Sequence, residues 1–90
     1  VQFNNVPAGI PVGTVNIPTG GFNGVLMALT SGIVDLYFGS GAGTVPDLQF
    51  TGSPNPILIP LPPMEQHQVF IAVNVNSTAN ATGVLYLIQY

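Results

Sequence analysis

The chain has ninety residues with no Cys, Lys or Arg, a single His, and three carboxylates, Asp35, Asp47 and Glu65, for a net charge of −3. A domain of this size ordinarily carries about twenty charged side chains. The composition excludes disulfides and thiolate metal sites, and with no cation to neutralise phosphate it excludes nucleic acid and anionic membrane surfaces as partners.

Ninety residues suffice for one domain, 1–90. Eleven glycines and nine prolines punctuate the chain and cut it into short β-branched and aromatic runs, with almost no strong helix formers between them. In chain order, residues 1–11 read as a proline-bearing N-terminal arm. Val12–Ile17 follows as a weak strand ended by Pro18. Val25–Thr30 is a strand apolar on both faces. Ile33–Phe38 alternates cleanly, with Val34, Leu36 and Phe38 on one face and Ile33, Asp35 and Tyr37 on the other. Leu48–Thr51 repeats the alternation, with Leu48 and Phe50 inward. Ile57–Leu61 contains Pro60, which confines it to an edge or a strand end.

Two strands close the chain, 66–75 and 84–90, and the polar stretch Asn76–Gly83 between them reads as a hairpin loop. The sum is an all-β fold, an antiparallel β-sandwich or jelly roll of about seven strands. Its predicted core comprises Val34, Leu36, Phe38, Leu48 and Phe50, joined by Ile71, Val73, Leu85 and Leu87 from the last two strands.

No apolar run reaches the roughly 20 residues of a membrane-spanning helix; the longest candidates are Val25–Leu29 and Ile57–Met64, the latter broken by prolines. No signal peptide with a basic start is visible. The start at Val1 is consistent with removal of an initiator Met or of a longer leader.

Candidate chemistry is thin. Gly39-Ser40-Gly41-Ala42-Gly43 has the glycine density of a phosphate loop, but no Lys and no helix follow, so a hairpin loop is the expectation. Glu65 and His67 make two titratable groups, too few for a metal cage and without a partnered nucleophile. Asp35 and Asp47 could offer oxygens to a hard cation, but their spacing fits no calcium loop, and solvated strand-face carboxylates are expected. Asn76-Ser77-Thr78 and Asn80-Ala81-Thr82 are glycosylation sequons of the kind an Asn- and Thr-rich chain contains by chance. These readings imply no enzyme activity, no cofactor and no metal.

The run Leu29-Thr30-Ser31-Gly32-Ile33-Val34-Asp35-Leu36-Tyr37-Phe38-Gly39 and the final Asn80-Ala81-Thr82-Gly83-Val84-Leu85-Tyr86-Leu87-Ile88-Gln89-Tyr90 share a texture: polar turn, glycine, then an aromatic-bearing strand. In this the chain resembles small β-sandwich proteins of bacteriophage particles, such as capsid decoration, vertex or spike subunits. The resemblance implies a structural protein of the virion whose partners are other capsid proteins.

Strands apolar on both faces need a cover. A ring-like homo-oligomer of three or five subunits is expected, with Val69, Ile71, Val73, Val84, Tyr86, Ile88 and Tyr90 as candidate interface residues and the proline-rich arm assisting. The competing expectation is a carbohydrate-binding or cell-surface module in which Tyr37, Tyr86 and Tyr90 stack on sugar rings.

Overall fold

Residues alternate in direction along a strand, so Ile33–Phe38 must turn its apolar set, Val34, Leu36 and Phe38, away from Asp35. In the computed structural model, which describes residues 1–16, 24–39, 41–53, 55–60 and 68–88, this segment is one of eight strands. In order they are β1 (Gln2–Val6), β2 (Pro11–Asn16), β3 (Gly24–Ser31), β4 (Ile33–Phe38), β5 (Leu48–Thr51), β6 (Ile57–Pro60), β7 (Gln68–Val73) and β8 (Ala81–Ile88). No helix occurs among the described residues.

The strands form two antiparallel four-stranded sheets, ordered β1-β8-β3-β6 and β2-β7-β4-β5. The first pairs with the eighth, the second with the seventh, the third with the sixth and the fourth with the fifth. Two further pairings, β3 with β8 and β4 with β7, join these ribbons into sheets.

Both sheets contribute to one apolar core. Val25, Met27 and Leu85 of the first sheet meet Val34, Leu36, Phe50, Val69 and Ile71 of the second, each 2% exposed or less. Burying one such side chain contributes about 1.5–3 kcal/mol. The all-β sandwich expected from the sequence is therefore present. Six of the nine expected core residues are buried, and Phe38, Leu48 and Leu87 pack partly buried against them.

The strand count is eight rather than about seven because the expected arm is structured. Gln2–Val6 pairs with β8, and Phe3, 6% exposed, inserts into the core. Gly83 makes this possible. It lies between Phe3 and Leu29 in the register, and a Cβ there would come 2.6 Å from the Ala28 carbonyl oxygen and 3.0 Å from the Leu29 Cα. The Leu29 side chain, 3.2 Å from that position, occupies the space that the missing side chain leaves.

The stretch after β7 is not a hairpin either. β7 and β8 belong to different sheets, so residues 74–80 carry the chain across the sandwich. That crossing is stitched to the start of β4. The Asn74 amide donates to the Ile33 carbonyl at 2.9 Å, and the Ile33 amide donates to the Ser77 hydroxyl at 3.1 Å.

A second crossing, from β3 to β4, turns on Gly32. Its φ is +86°, and an added Cβ would sit 2.8 Å from the Ala81 Cα. By contrast, the strands that flank the glycine run, β4 and β5, are antiparallel hydrogen-bonded neighbours, as the expected hairpin requires; Ser40 lies outside the described residues. Ile57–Pro60 lies at a sheet edge, where Pro60 was expected to confine it; Leu61 lies outside the described residues.

Candidate functional site

Eight strands in two sheets leave two outer faces, and these differ in chemistry. On the sheet β1-β8-β3-β6 the register sets Leu58, Leu26 and Tyr86 side by side across three strands. Leu58 is 54% exposed and Tyr86 55%. The next row places Ala28 beside Val84, and the row on the other side places Ile88 near Pro60 through Gly24. No charged side chain interrupts these rows.

Toward the opposite end the same face turns polar. Gln2, Asn4, Thr30 and Thr82 line a shallow depression of 660 Å³ with Ala28 and Val84. Asn5 adopts a left-handed backbone (φ 53°) at a bulge between β1 and β8, a conformation that Asn tolerates well. Its amide donates to the Thr82 hydroxyl at 3.0 Å, which restores a partner lost where the ladder slips.

The candidate interface set divides on this geometry. Val84, Tyr86 and Ile88 lie on the outer face, whereas Tyr90 falls outside the described residues. Val69, Ile71 and Val73 point inward, at 0%, 0% and 2% exposure, and are core rather than contact residues. The outward positions of β7 are instead Phe70 and Ala72, because the register with β4 fixes which alternate set meets Leu36. Leu26 and Leu58, absent from the candidate set, share the exposed rows. They sit in the runs Val25–Leu29 and Ile57–Pro60, which are apolar at every position, so alternation gave no sign of which residues face out.

The face of β2-β7-β4-β5 carries a buried carboxylate. Asp35 was expected to be solvated, yet it is only 4% exposed. Its neighbours explain this. Gln49, directly opposite on β5, donates from Nε2 to Oδ1 at 2.9 Å, and Asn74, just beyond β7, donates from Nδ2 to Oδ2 at 2.8 Å. Tyr37, two residues along the same strand, shares this face with Asp35. Partial burial chiefly pushes the Tyr37 hydroxyl above its ordinary pKa, and the neighbouring Asp35 carboxylate pushes in the same direction.

Asp47 serves the hairpin. Its carboxylate accepts the Phe38 amide at 2.7 Å, and its own amide donates to the Leu36 carbonyl at 2.8 Å. Glu65 and His67 lie outside the described residues. Among the described residues no group of three or more His, Asp or Glu comes together to hold a metal ion.

Above Asp35 and Ala72 lies a groove of 340 Å³. One rim is the β4–β5 loop, through Ala42, Thr44 and Pro46; the other is Gly9 and Pro11 with Asn74 and Val75. The rings of Tyr37 and Phe70, cross-strand neighbours, lie 6.1 Å apart at 52° and form its aromatic side.

No family model matches the chain, and neither a curated protein nor a solved structure matches it.

Proposed function

We propose that the chain is a non-enzymatic structural subunit of a virus particle, a small decoration, vertex or minor capsid protein that acts by protein packing. The observation that carries this reading is the exposed row Leu58–Leu26–Tyr86, extended by Val84 and Ile88, on a sheet face without a charged side chain. Apolar patches beyond a few hundred Å² are uncommon on monomers. A second copy of the chain is the occupant that suits it, because a neutral face needs no charged complement and identical subunits close through cyclic symmetry.

The pairing of first strand with eighth, second with seventh, third with sixth and fourth with fifth supports reading the sandwich as a jelly roll. That architecture recurs in viral capsid and lectin domains. Fold alone does not assign function, so the face chemistry favours the shell role. The near absence of charge agrees with it, since a protein packed among others has less need of colloidal repulsion.

Sedimentation velocity at micromolar concentration tests the reading. The unmodified chain is expected to sediment as a closed oligomer at low and high salt alike, since apolar contacts are not screened. Leu58→Lys with Tyr86→Lys is expected to give a folded monomer. A wild-type chain that is monomeric in both salts and does not attach to virus particles overturns the proposal.

A further inference from the structure

The groove over Asp35 is on the sheet opposite the apolar row and has no part in the packing role. Its floor is a carboxylate in a chain without any Lys or Arg, and its side is aromatic. We infer that this groove binds a neutral carbohydrate, with a sugar ring packed against Tyr37 and Phe70 and its hydroxyls hydrogen-bonded to Asp35 and Asn74.

Three observations select this ligand class. An anionic ligand, whether phosphate, sulfate or acidic sugar, would meet the Asp35 charge with no cation to offset it. A guanidinium would need both carboxylate oxygens presented side by side, but Gln49 already occupies Oδ1 and Asn74 occupies Oδ2. A carboxylate has about four acceptor positions, and the two amides fill two. Hydroxyl donors suit what remains, and the charge-assisted bonds they form are stronger than neutral ones.

The rest of the groove matches a sugar's two-sided character. Hydroxyls both donate and accept, and they face the Asn74 amide and the Thr44 side chain at the rim. The ring carbons present an apolar face to the aromatic pair. A volume of 340 Å³ lies at the small end of the clefts that hold small ligands, about 300–1,000 Å³, which suits one or two sugar residues. Ala72 keeps the groove open, because its methyl stands opposite Asp35 where a longer side chain would fill the space.

Isothermal titration with the full chain tests the site, using neutral hexoses, N-acetylhexosamines and their short oligomers as probes and a Lys/Arg-rich peptide as the contrasting ligand. Binding of one neutral class is expected. Tyr37→Ala and Asp35→Asn should each weaken it by at least about tenfold, and Ala72→Leu, which fills the groove and leaves the Asp35 partners in place, should abolish it. The Leu58→Lys, Tyr86→Lys variant should retain the per-subunit affinity, which separates this site from the packing face. Binding that Ala72→Leu leaves intact overturns the inference. So does the absence of any bound neutral sugar, or binding of the basic peptide in its place.

Discussion

Asn74 holds Oδ2 of Asp35 at 2.8 Å with its Nδ2 while its own Oδ1 accepts the Asn76 amide at 2.8 Å. One side chain thus ties a buried carboxylate to the turn that carries the chain from one sheet to the other. Gln49 makes the matching bond to Oδ1 from an exposed position. The two amides are equivalent in chemistry and unequal in context.

Asn74→Ala is therefore expected to cost about 2 kcal/mol, the range for a lost hydrogen bond to a charged, buried group. Gln49→Ala should cost less, under about 1 kcal/mol, because water can replace an exposed donor. Urea denaturation of both variants measures the difference. Equal losses would mean that Asn74 does not anchor the crossing.

Alkaline titration should expose the Tyr37–Asp35 contact. The hydroxyl's pKa is raised in the folded chain above the ordinary 10.0, so the unfolded chain ionises first as pH rises. This contribution to stability is intact below about pH 10 and is lost as pH climbs through the folded value. Tyr37→Phe should remove that part of the alkaline decline. Ultraviolet titration together with melting at pH 8 to 11, a window on either side of the ordinary tyrosine value of about 10, checks it; an unchanged decline in the variant would contradict the contact.

Phe3→Ala distinguishes a strand from a loose arm. A side chain 6% exposed and packed in the core should cost about 3–5 kcal/mol on truncation. An arm resting on the surface would lose well under about 1 kcal/mol. Thermal or chemical unfolding of the variant decides between them.

Two glycines should resist substitution and one should accept it. Gly83→Ala forces a Cβ to 2.6 Å from the Ala28 carbonyl oxygen, and Gly32→Ala adds a left-handed backbone strain to a 2.8 Å approach on Ala81. Each is expected to cost about 2 kcal/mol or more. Gly41 has nothing within 4 Å of an added Cβ, so Gly41→Ala should stay within about 0.5 kcal/mol of the parent. Circular dichroism melts of the three variants would show the contrast, and a tolerated Gly83→Ala would mean that β3 and β8 lie farther apart there.

Local sequence determined the class of fold and its most regular strands. Ile33–Phe38 and Leu48–Thr51 were legible to the residue, because each alternates apolar and polar side chains and a half-buried strand requires that pattern. Charge composition likewise set the expectation that nucleic acid is not a partner, since no folding can create a Lys or Arg that the chain lacks. Tertiary structure decided the rest. In β3, β6 and β8 nearly every position is apolar, so only the pairing register shows that Leu26, Leu58 and Tyr86 face out. Asp35 reads locally as a solvated strand residue, and Gln49 and Asn74 lie 14 and 39 positions away. Antiparallel pairing of β4 with both β5 and β7 brings those amides onto its carboxylate, and long-range register of that kind is a property of the assembled sheet, not of any short stretch of chain.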